Sequence, residues 1–126
     1  MESNTYANLI KDMQKHAFEE SPKECCGIIT DEFKYVPYPN LAEDPENFFL
    51  LDPMALVNHY DNCWGIFHSH PEQDNPLPSE NDIASTSFTE YHFIVGWKNK
   101  FYIYWYDENI KALKFEKFTE EYLCKA

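Results

Sequence analysis

Residues 63–71 read Cys-Trp-Gly-Ile-Phe-His-Ser-His-Pro, a compact apolar run that ends in two histidines and a proline. The run predicts a buried strand over Cys63–His68, and the three prolines of residues 71–78 predict a stiff loop after it. Side chains two residues apart project from the same face of a strand, so His68 and His70 can present their imidazoles side by side. The segment therefore predicts a core strand whose end carries two potential metal ligands.

A second polar motif follows the loop, where residues 79–82 read Ser-Glu-Asn-Asp and predict the start of a helix that runs to about Phe88. Ser79 and Asp82 have the spacing of a helix capping box, with Asp in place of Glu. Asp82 also falls in the first turn of this helix, which follows the histidine strand in the sequence after the proline-rich loop. Two imidazoles and one carboxylate form a three-ligand zinc set with a fourth position open for water. Both interpretations can hold together.

A third candidate is Glu24, which stands between the helix-ending Ser21-Pro22 and an apolar strand that begins at Cys25. One interpretation is an exposed glutamate at a strand edge. The other is a general base that takes a proton from an activated water and returns it to a leaving amine.

The remaining hydrophobic patterns predict an alternation of helices and short strands. The first helix is amphipathic, with its apolar face formed by Tyr6, Leu9, Ile10, Met13 and Ala17. Strands follow at Cys25–Thr30, Phe33–Val36 and Phe48–Leu51, and a second helix begins at Asp52-Pro53. After the third helix, a hairpin joins Tyr91–Gly96 to Phe101–Tyr106, a last strand spans Ile110–Phe118, and Thr119–Ala126 forms a helical tail. This order predicts one α/β or α+β domain over residues 1–126.

Composition limits the partners. The 126 residues carry a net charge of −12, with ten lysines and no arginine, and residues 31–90 alone carry −11. Such a chain repels nucleic acid and anionic membrane surfaces, and it offers no guanidinium fork for phosphate. The acidity predicts a preference for cationic or neutral substrate segments.

The N-terminus shows no signal-peptide pattern, and no stretch approaches 18 consecutive apolar residues. Four cysteines that include an adjacent pair are typical of reduced thiols rather than of a disulfide scaffold. A structural zinc site that combines Cys25 or Cys26 with the two histidines is disfavoured, since adjacent cysteines on a strand point to opposite faces. We expect a cytoplasmic protein.

Together, residues 22–29 (Pro-Lys-Glu-Cys-Cys-Gly-Ile-Ile), 68–71 (His-Ser-His-Pro) and 78–82 (Pro-Ser-Glu-Asn-Asp) resemble the JAMM (JAB1/MPN/Mov34) metalloprotease domain. The resemblance covers about residues 5 to 106 and is strongest to the bacterial and phage-tail branch, the tail assembly protein K type. It implies a single domain with a mixed central β-sheet flanked by helices. It also implies a location in the cytoplasm of a bacterium or an infected host cell, or in a virion tail.

The resemblance also implies roles for five residues. His68, His70 and Asp82 would bind Zn²⁺, Glu24 would be the acid/base that activates water, and Ser79 would help to hold the oxyanion of the tetrahedral intermediate. The implied reaction is zinc-dependent hydrolysis of a peptide or isopeptide bond. The family usually has seven residues between the second histidine and the serine, whereas this chain has eight, residues 71–78. We keep Asp82 as the ligand, with Asp74 as the alternative if the longer loop folds over the metal.

The sequence leaves the substrate and partners open. A peptide, the tail of a partner protein or a peptidoglycan crosslink could be the substrate, and other phage tail proteins could be partners. Two non-catalytic alternatives are a structural or interaction module of the MPN type and a peptidoglycan-binding tail component.

Overall fold

The computed structural model describes residues 4–86 and 91–124, and its centre is one mixed six-stranded sheet. The strands lie in the order β2-β1-β3-β4-β5-β6, and β3 and β4 are parallel while the other neighbours are antiparallel. Their bounds are β1 Cys26–Thr30, β2 Tyr35–Tyr38, β3 Cys63–Ser69, β4 His92–Trp97, β5 Lys100–Asp107 and β6 Ala112–Lys117.

Helices cover both faces of the sheet: α1 Thr5–Glu20, α2 Pro53–Asn58, α3 Glu80–Thr86 and α4 Glu121–Cys124. The first face packs on α1, whose buried Leu9 and Met13 share a core cluster with Phe67 of β3. On the second face, Ala55 of α2 packs in a cluster with Ile66 of β3. None of the helices in the described residues is long and apolar enough to cross a membrane. The predicted fold class, a mixed sheet flanked by helices, is confirmed.

The predicted strand at Phe48–Leu51 is wrong. This segment is irregular, and Leu51 pairs with Asn40 only in an isolated bridge. The reason is the Asn40 side chain, whose Nδ2 donates to the Phe48 carbonyl at 2.9 Å and whose Oδ1 accepts from Leu50 N–H at 3.0 Å. A side chain that takes these backbone groups competes with a sheet ladder.

Several other element boundaries differ from the prediction or lie outside the described residues. The strand expected from Phe33 begins at Tyr35, because Phe33 adopts a left-handed backbone with φ of 62° in the turn after β1. The third helix is described as far as Thr86, and its expected end at Phe88 lies outside the described residues. The C-terminal helix is short, and residues 125–126 also lie outside the described part.

Ser69 fixes the junction between the start of β1 and the end of β3. It is fully buried, its Oγ accepts from Cys25 N–H at 2.8 Å, and its own N–H donates to the Cys25 carbonyl at 3.1 Å. Because Glu24 precedes Cys25 and His68 and His70 flank Ser69, this pair of bonds holds three of the candidate residues at one edge.

We expect Ser69→Ala to lower the free energy of unfolding by about 1–3 kcal/mol, because the buried Cys25 N–H loses its acceptor. Urea unfolding of the metal-free protein measures the change. The matched control is Thr30→Val, which removes a similar bond from Lys34 N–H at 3.2 Å near the surface and should cost less. A Ser69→Ala protein as stable as the parent would contradict the stabilising role of the Cys25–Ser69 hydrogen bond.

Candidate metal centre

The histidine pair stands where β3 ends, on the face that carries α2. Strand alternation places His68 on the same face as Ile66. The chain leaves the sheet after Ser69 and crosses through α3 to β4, which is parallel to β3. The crossover brings Asp82, in the first turn of α3, back to the histidines. The local sequence thus supplies two candidate ligands from a strand end and a carboxylate from the following helix.

His68 is fully buried and has a contact at each ring nitrogen. Glu24 Oε1 lies 3.4 Å from Nδ1, a long hydrogen bond, and the Tyr104 hydroxyl lies 2.6 Å from Nε2. Phe49 stacks on the imidazole with ring centroids 4.2 Å apart and planes 16° apart. The ring is therefore held by its face and by both nitrogens.

Asp82 joins the two imidazoles. Its Oδ2 lies 3.2 Å from His70 Nε2 and 3.7 Å from His68 Nε2, and all three side chains are buried. Zinc ligands lie about 2.0–2.2 Å from the ion, which places tetrahedral ligand atoms about 3.3–3.6 Å apart. The two distances to Asp82 are close to that range, so the spacing of Asp82 from each imidazole suits tetrahedral coordination, and the donor types suit zinc.

A second donor set overlaps the first. Glu24, His68 and His70 each offer a ligand atom within 4.8 Å of the others, and all three are buried, so this cluster could also hold a metal. The two sets use different sides of the His68 ring, since Glu24 faces Nδ1 and Asp82 faces Nε2. We favour the set with Asp82, because Glu24 then takes the position of the carboxylate that orients a ligating histidine through its other nitrogen.

The Asp82 carboxyl is adapted to carry a negative charge. Burial alone would raise its pKa, but the His68 and His70 imidazoles and the Ser79 backbone N–H lower the pKa to about 2. Tyr104 responds in the opposite way, because burial and the neighbouring Asp82 and Glu24 carboxylates hold its pKa well above the usual range. The site therefore presents a carboxylate and a neutral phenol at neutral pH.

Ser79 forms the predicted capping box with Asp82. Ser79 N–H donates to Asp82 Oδ2 at 2.8 Å, and Asp82 N–H donates to Ser79 Oγ at 3.2 Å. The serine hydroxyl accepts in this pair, so its own hydrogen can point to another acceptor. The same serine thus orients the third candidate ligand and starts α3.

The longer loop does not bring Asp74 to the histidines. Asp74 is exposed, and its carbonyl accepts from Lys100 Nζ at 2.8 Å. The loop turns sharply at Glu72, where φ is 64°, and is then held by buried Pro76 and by Tyr102, whose hydroxyl lies 2.6 Å from Asn75 Oδ1. The additional residue is accommodated while Asp82 still reaches both imidazoles.

The main chain of Glu24 is held by the loop between β2 and α2. Glu24 N–H donates to the Pro45 carbonyl at 2.7 Å, and the Glu24 carbonyl accepts from Asn40 Nδ2 at 2.9 Å. Phe49, from the same loop, covers His68. Residues 40–51 therefore form one wall of the centre, which we call the site loop.

Sequence reasoning missed Tyr104, Phe49 and Asn40 as residues of the site. The signal for Tyr104 is strand alternation, since buried Ile103 faces the other core cluster and its neighbour then lies on the histidine face. Two further histidines lie outside the site and are packing residues: His59 bonds the Tyr38 hydroxyl at 3.0 Å, and the ring of His92 stacks on Trp64.

Comparison with known proteins gives a consistent picture. The sequence pattern of the family described as prokaryotic homologs of the JAB domain matches residues 6–109. A tail tip assembly protein K of Escherichia phage N15 is 35% identical over 95 residues, a match that covers 70% of this chain but 38% of the phage protein. The chain thus corresponds to well under half of that relative.

Two further relatives have names that refer to protein conjugates. A desampylase of Haloferax volcanii is 28% identical over 101 residues, covering 70% of this chain and 72% of the relative. A probable TtuB-protein conjugate cleaving protease of Thermus thermophilus is 29% identical over 98 residues, covering 70% and 66%. With the family pattern spanning most of the chain, these matches confirm the resemblance stated from the motifs. The protein belongs to the family of prokaryotic homologs of the JAB domain.

Proposed function

We propose that the protein is a zinc-dependent hydrolase of peptide or isopeptide bonds. The observation that carries the proposal is the meeting of three buried zinc-type donors, with Asp82 Oδ2 3.2 Å from His70 Nε2 and 3.7 Å from His68 Nε2. His68, His70 and Asp82 would hold the ion. A bound zinc would polarise the scissile carbonyl and lower the pKa of water from about 15.7 to about 7.

Glu24 and Ser79 supply the proton transfers and the oxyanion contact in this proposal. Glu24 is buried, and a carboxylate oxygen lies within 4.8 Å of a ring nitrogen of His68 and of His70. Oε1 contacts His68 Nδ1, and Oε2 would take a proton from the attacking water and return it to the leaving amine. The Ser79 hydroxyl would donate to the developing oxyanion, since its oxygen already accepts from Asp82 N–H.

The names of two relatives support a protein conjugate as the substrate. A desampylase and a probable conjugate-cleaving protease both match this chain over 70% of its length. We propose that the bond cut here joins a peptide or protein tail to an amine. A place in phage tail assembly, with tail proteins as partners, and a location in the host cytoplasm or the virion tail stay predictions supported by the phage relative.

The charge and the exposed apolar side chains around the site favour particular substrates among protein conjugates. Residues 35–97 contain ten acidic residues and no lysine or arginine, and this segment includes the site loop, α2, β3 and α3. The site loop also exposes Leu41, Phe48 and Leu50. A substrate segment that combines apolar side chains with positive charge would complement this surface.

A non-catalytic module is the alternative, and the site geometry argues against it. All five residues that the family resemblance assigns to the site are present, and the structure brings Glu24, His68, His70 and Asp82 together in its interior with Ser79 bonded to Asp82, an arrangement that a scaffold does not need.

Zinc content and hydrolysis test the proposal together. We expect the parent protein to bind one zinc and to cleave members of a library of lysine-branched peptides, and His68→Ala to lose both. Glu24→Gln should keep the zinc and lower kcat/KM by about 10²–10⁴-fold, since a general base of that kind contributes this much.

The matched control is His92→Ala, because His92 lies on β4 outside the centre and should be dispensable for zinc and cleavage. Zinc binding by His68→Ala equal to that of the parent would overturn the ligand assignment. Full activity of Glu24→Gln would remove Glu24 from the role of base.

Asp82→Asn should lower the free energy of unfolding of the metal-free protein by about 2 kcal/mol at pH 7. The folded protein lowers the pKa of Asp82 from 3.8 to about 2, so its contribution is complete above about pH 4 and is lost as the pH falls towards 2. The difference between parent and variant should therefore stay constant from pH 7 to 5 and shrink below pH 4.

Urea unfolding with a chelator present measures this difference, and Asp74→Asn is the control because Asp74 is exposed. A difference in unfolding free energy between parent and Asp82→Asn that widens as the pH falls would contradict the lowered pKa of Asp82.

Among otherwise identical peptides, we expect those with lysine next to the cleaved bond to have a higher kcat/KM than those with glutamate. The ratio should decrease from 50 mM to 500 mM salt, conditions under which the screening length falls from about 14 to about 4 Å. A ratio that is independent of salt would attribute the preference to shape rather than to charge.

A further inference from the structure

Tyr104 places a hydroxyl inside the centre without a role in the chemistry proposed above. It is fully buried on β5, and its ring stacks on Phe93 with centroids 5.3 Å apart and planes 17° apart. Its hydroxyl oxygen is 2.6 Å from His68 Nε2, the nitrogen that also faces Asp82. A buried, tightly packed phenol is therefore bonded to the atom that would hold the metal.

The contacts of His68 fit a tautomer that can bind a metal. A neutral imidazole has one N–H donor and one bare nitrogen that accepts. With the hydrogen on Nδ1, that nitrogen donates to Glu24 Oε1 and Nε2 accepts from the Tyr104 hydroxyl. This is the tautomer that offers Nε2 to a metal ion.

The hydroxyl and a metal compete for one lone pair. A zinc ion held by Nε2 would need the lone pair that the Tyr104 hydroxyl, 2.6 Å away, uses in the empty site. His68 has no solvent exposure, so with neither partner its Nε2 would be a buried acceptor without a hydrogen bond.

We propose that the Tyr104 hydroxyl is a placeholder for the metal: it pairs with His68 Nε2 while the site is empty and leaves this nitrogen when the metal binds. The inference rests on the metal site of the proposed function. It assigns Tyr104 the task of setting metal affinity by stabilising the empty form.

Removing the hydroxyl should therefore tighten metal binding. Phe49 and Glu24 still hold the imidazole in Tyr104→Phe, so the filled site keeps its geometry while the empty site loses a hydrogen bond. We expect the zinc Kd of Tyr104→Phe to fall about tenfold, equivalent to about 1.4 kcal/mol.

Zinc affinity is measured by competition with a fluorescent chelator for the parent, Tyr104→Phe and Tyr38→Phe. Tyr38 is the matched control, since its hydroxyl bonds His59 Nε2 at 3.0 Å outside the centre, and its removal should leave the zinc Kd unchanged. His68→Ala gives the background from binding to cysteines. Near-UV circular dichroism verifies that each variant is folded.

Nitrogen NMR of the metal-free parent gives a readout that does not depend on zinc. We expect the His68 proton on Nδ1, and a slowly exchanging Tyr104 hydroxyl proton that is lost from the spectrum in Tyr104→Phe. A His68 proton on Nε2 would overturn the inference.

The zinc affinities distinguish a failure of the proposed function from a failure of the placeholder role. If neither parent nor Tyr104→Phe binds zinc above the His68→Ala background, the proposed function fails. If both bind zinc but Tyr104→Phe binds with equal or lower affinity, the proposed function stands and the placeholder role is wrong.

Discussion

The centre depends on the antiparallel pairing of β1 with β3, which sets Cys26 opposite His68. That register continues beyond β1 through the two bonds between Cys25 and Ser69, so Glu24 arrives beside the histidine pair. A one-residue slip would turn both imidazoles to the other face of the sheet. All later features of the site, from the helix that carries Asp82 to the loop that covers His68, are built around this register.

Local sequence patterns predict much of this arrangement. The alternation along β3 predicts that His68 and His70 share a face, and the Ser79–Asp82 spacing predicts the capping box. Their convergence on one point was implied by a family resemblance, because spacing alone does not state how a crossover helix returns to the sheet.

The contacts that could not be predicted are those set by other parts of the chain. Tyr104 reaches His68 across 36 residues, and that contact requires the order and register of β3, β4 and β5. The segment Phe48–Leu51 has a strand-like composition, yet one asparagine eight residues earlier takes its backbone groups. Hydrophobic patterning cannot detect a side chain that replaces a sheet partner.

Asn40 limits how the site loop can be altered. Its side chain satisfies backbone groups of Glu24, Ala42, Phe48 and Leu50, so the site loop is fastened at its base to the main chain of the candidate base. The exposed side chains of the site loop, such as those of Leu41 and Phe48, form none of those bonds. They can therefore be exchanged for new specificities while position 40 is kept, and grafted loops of other lengths will be tolerated only if they present the same carbonyl and amide groups to this asparagine.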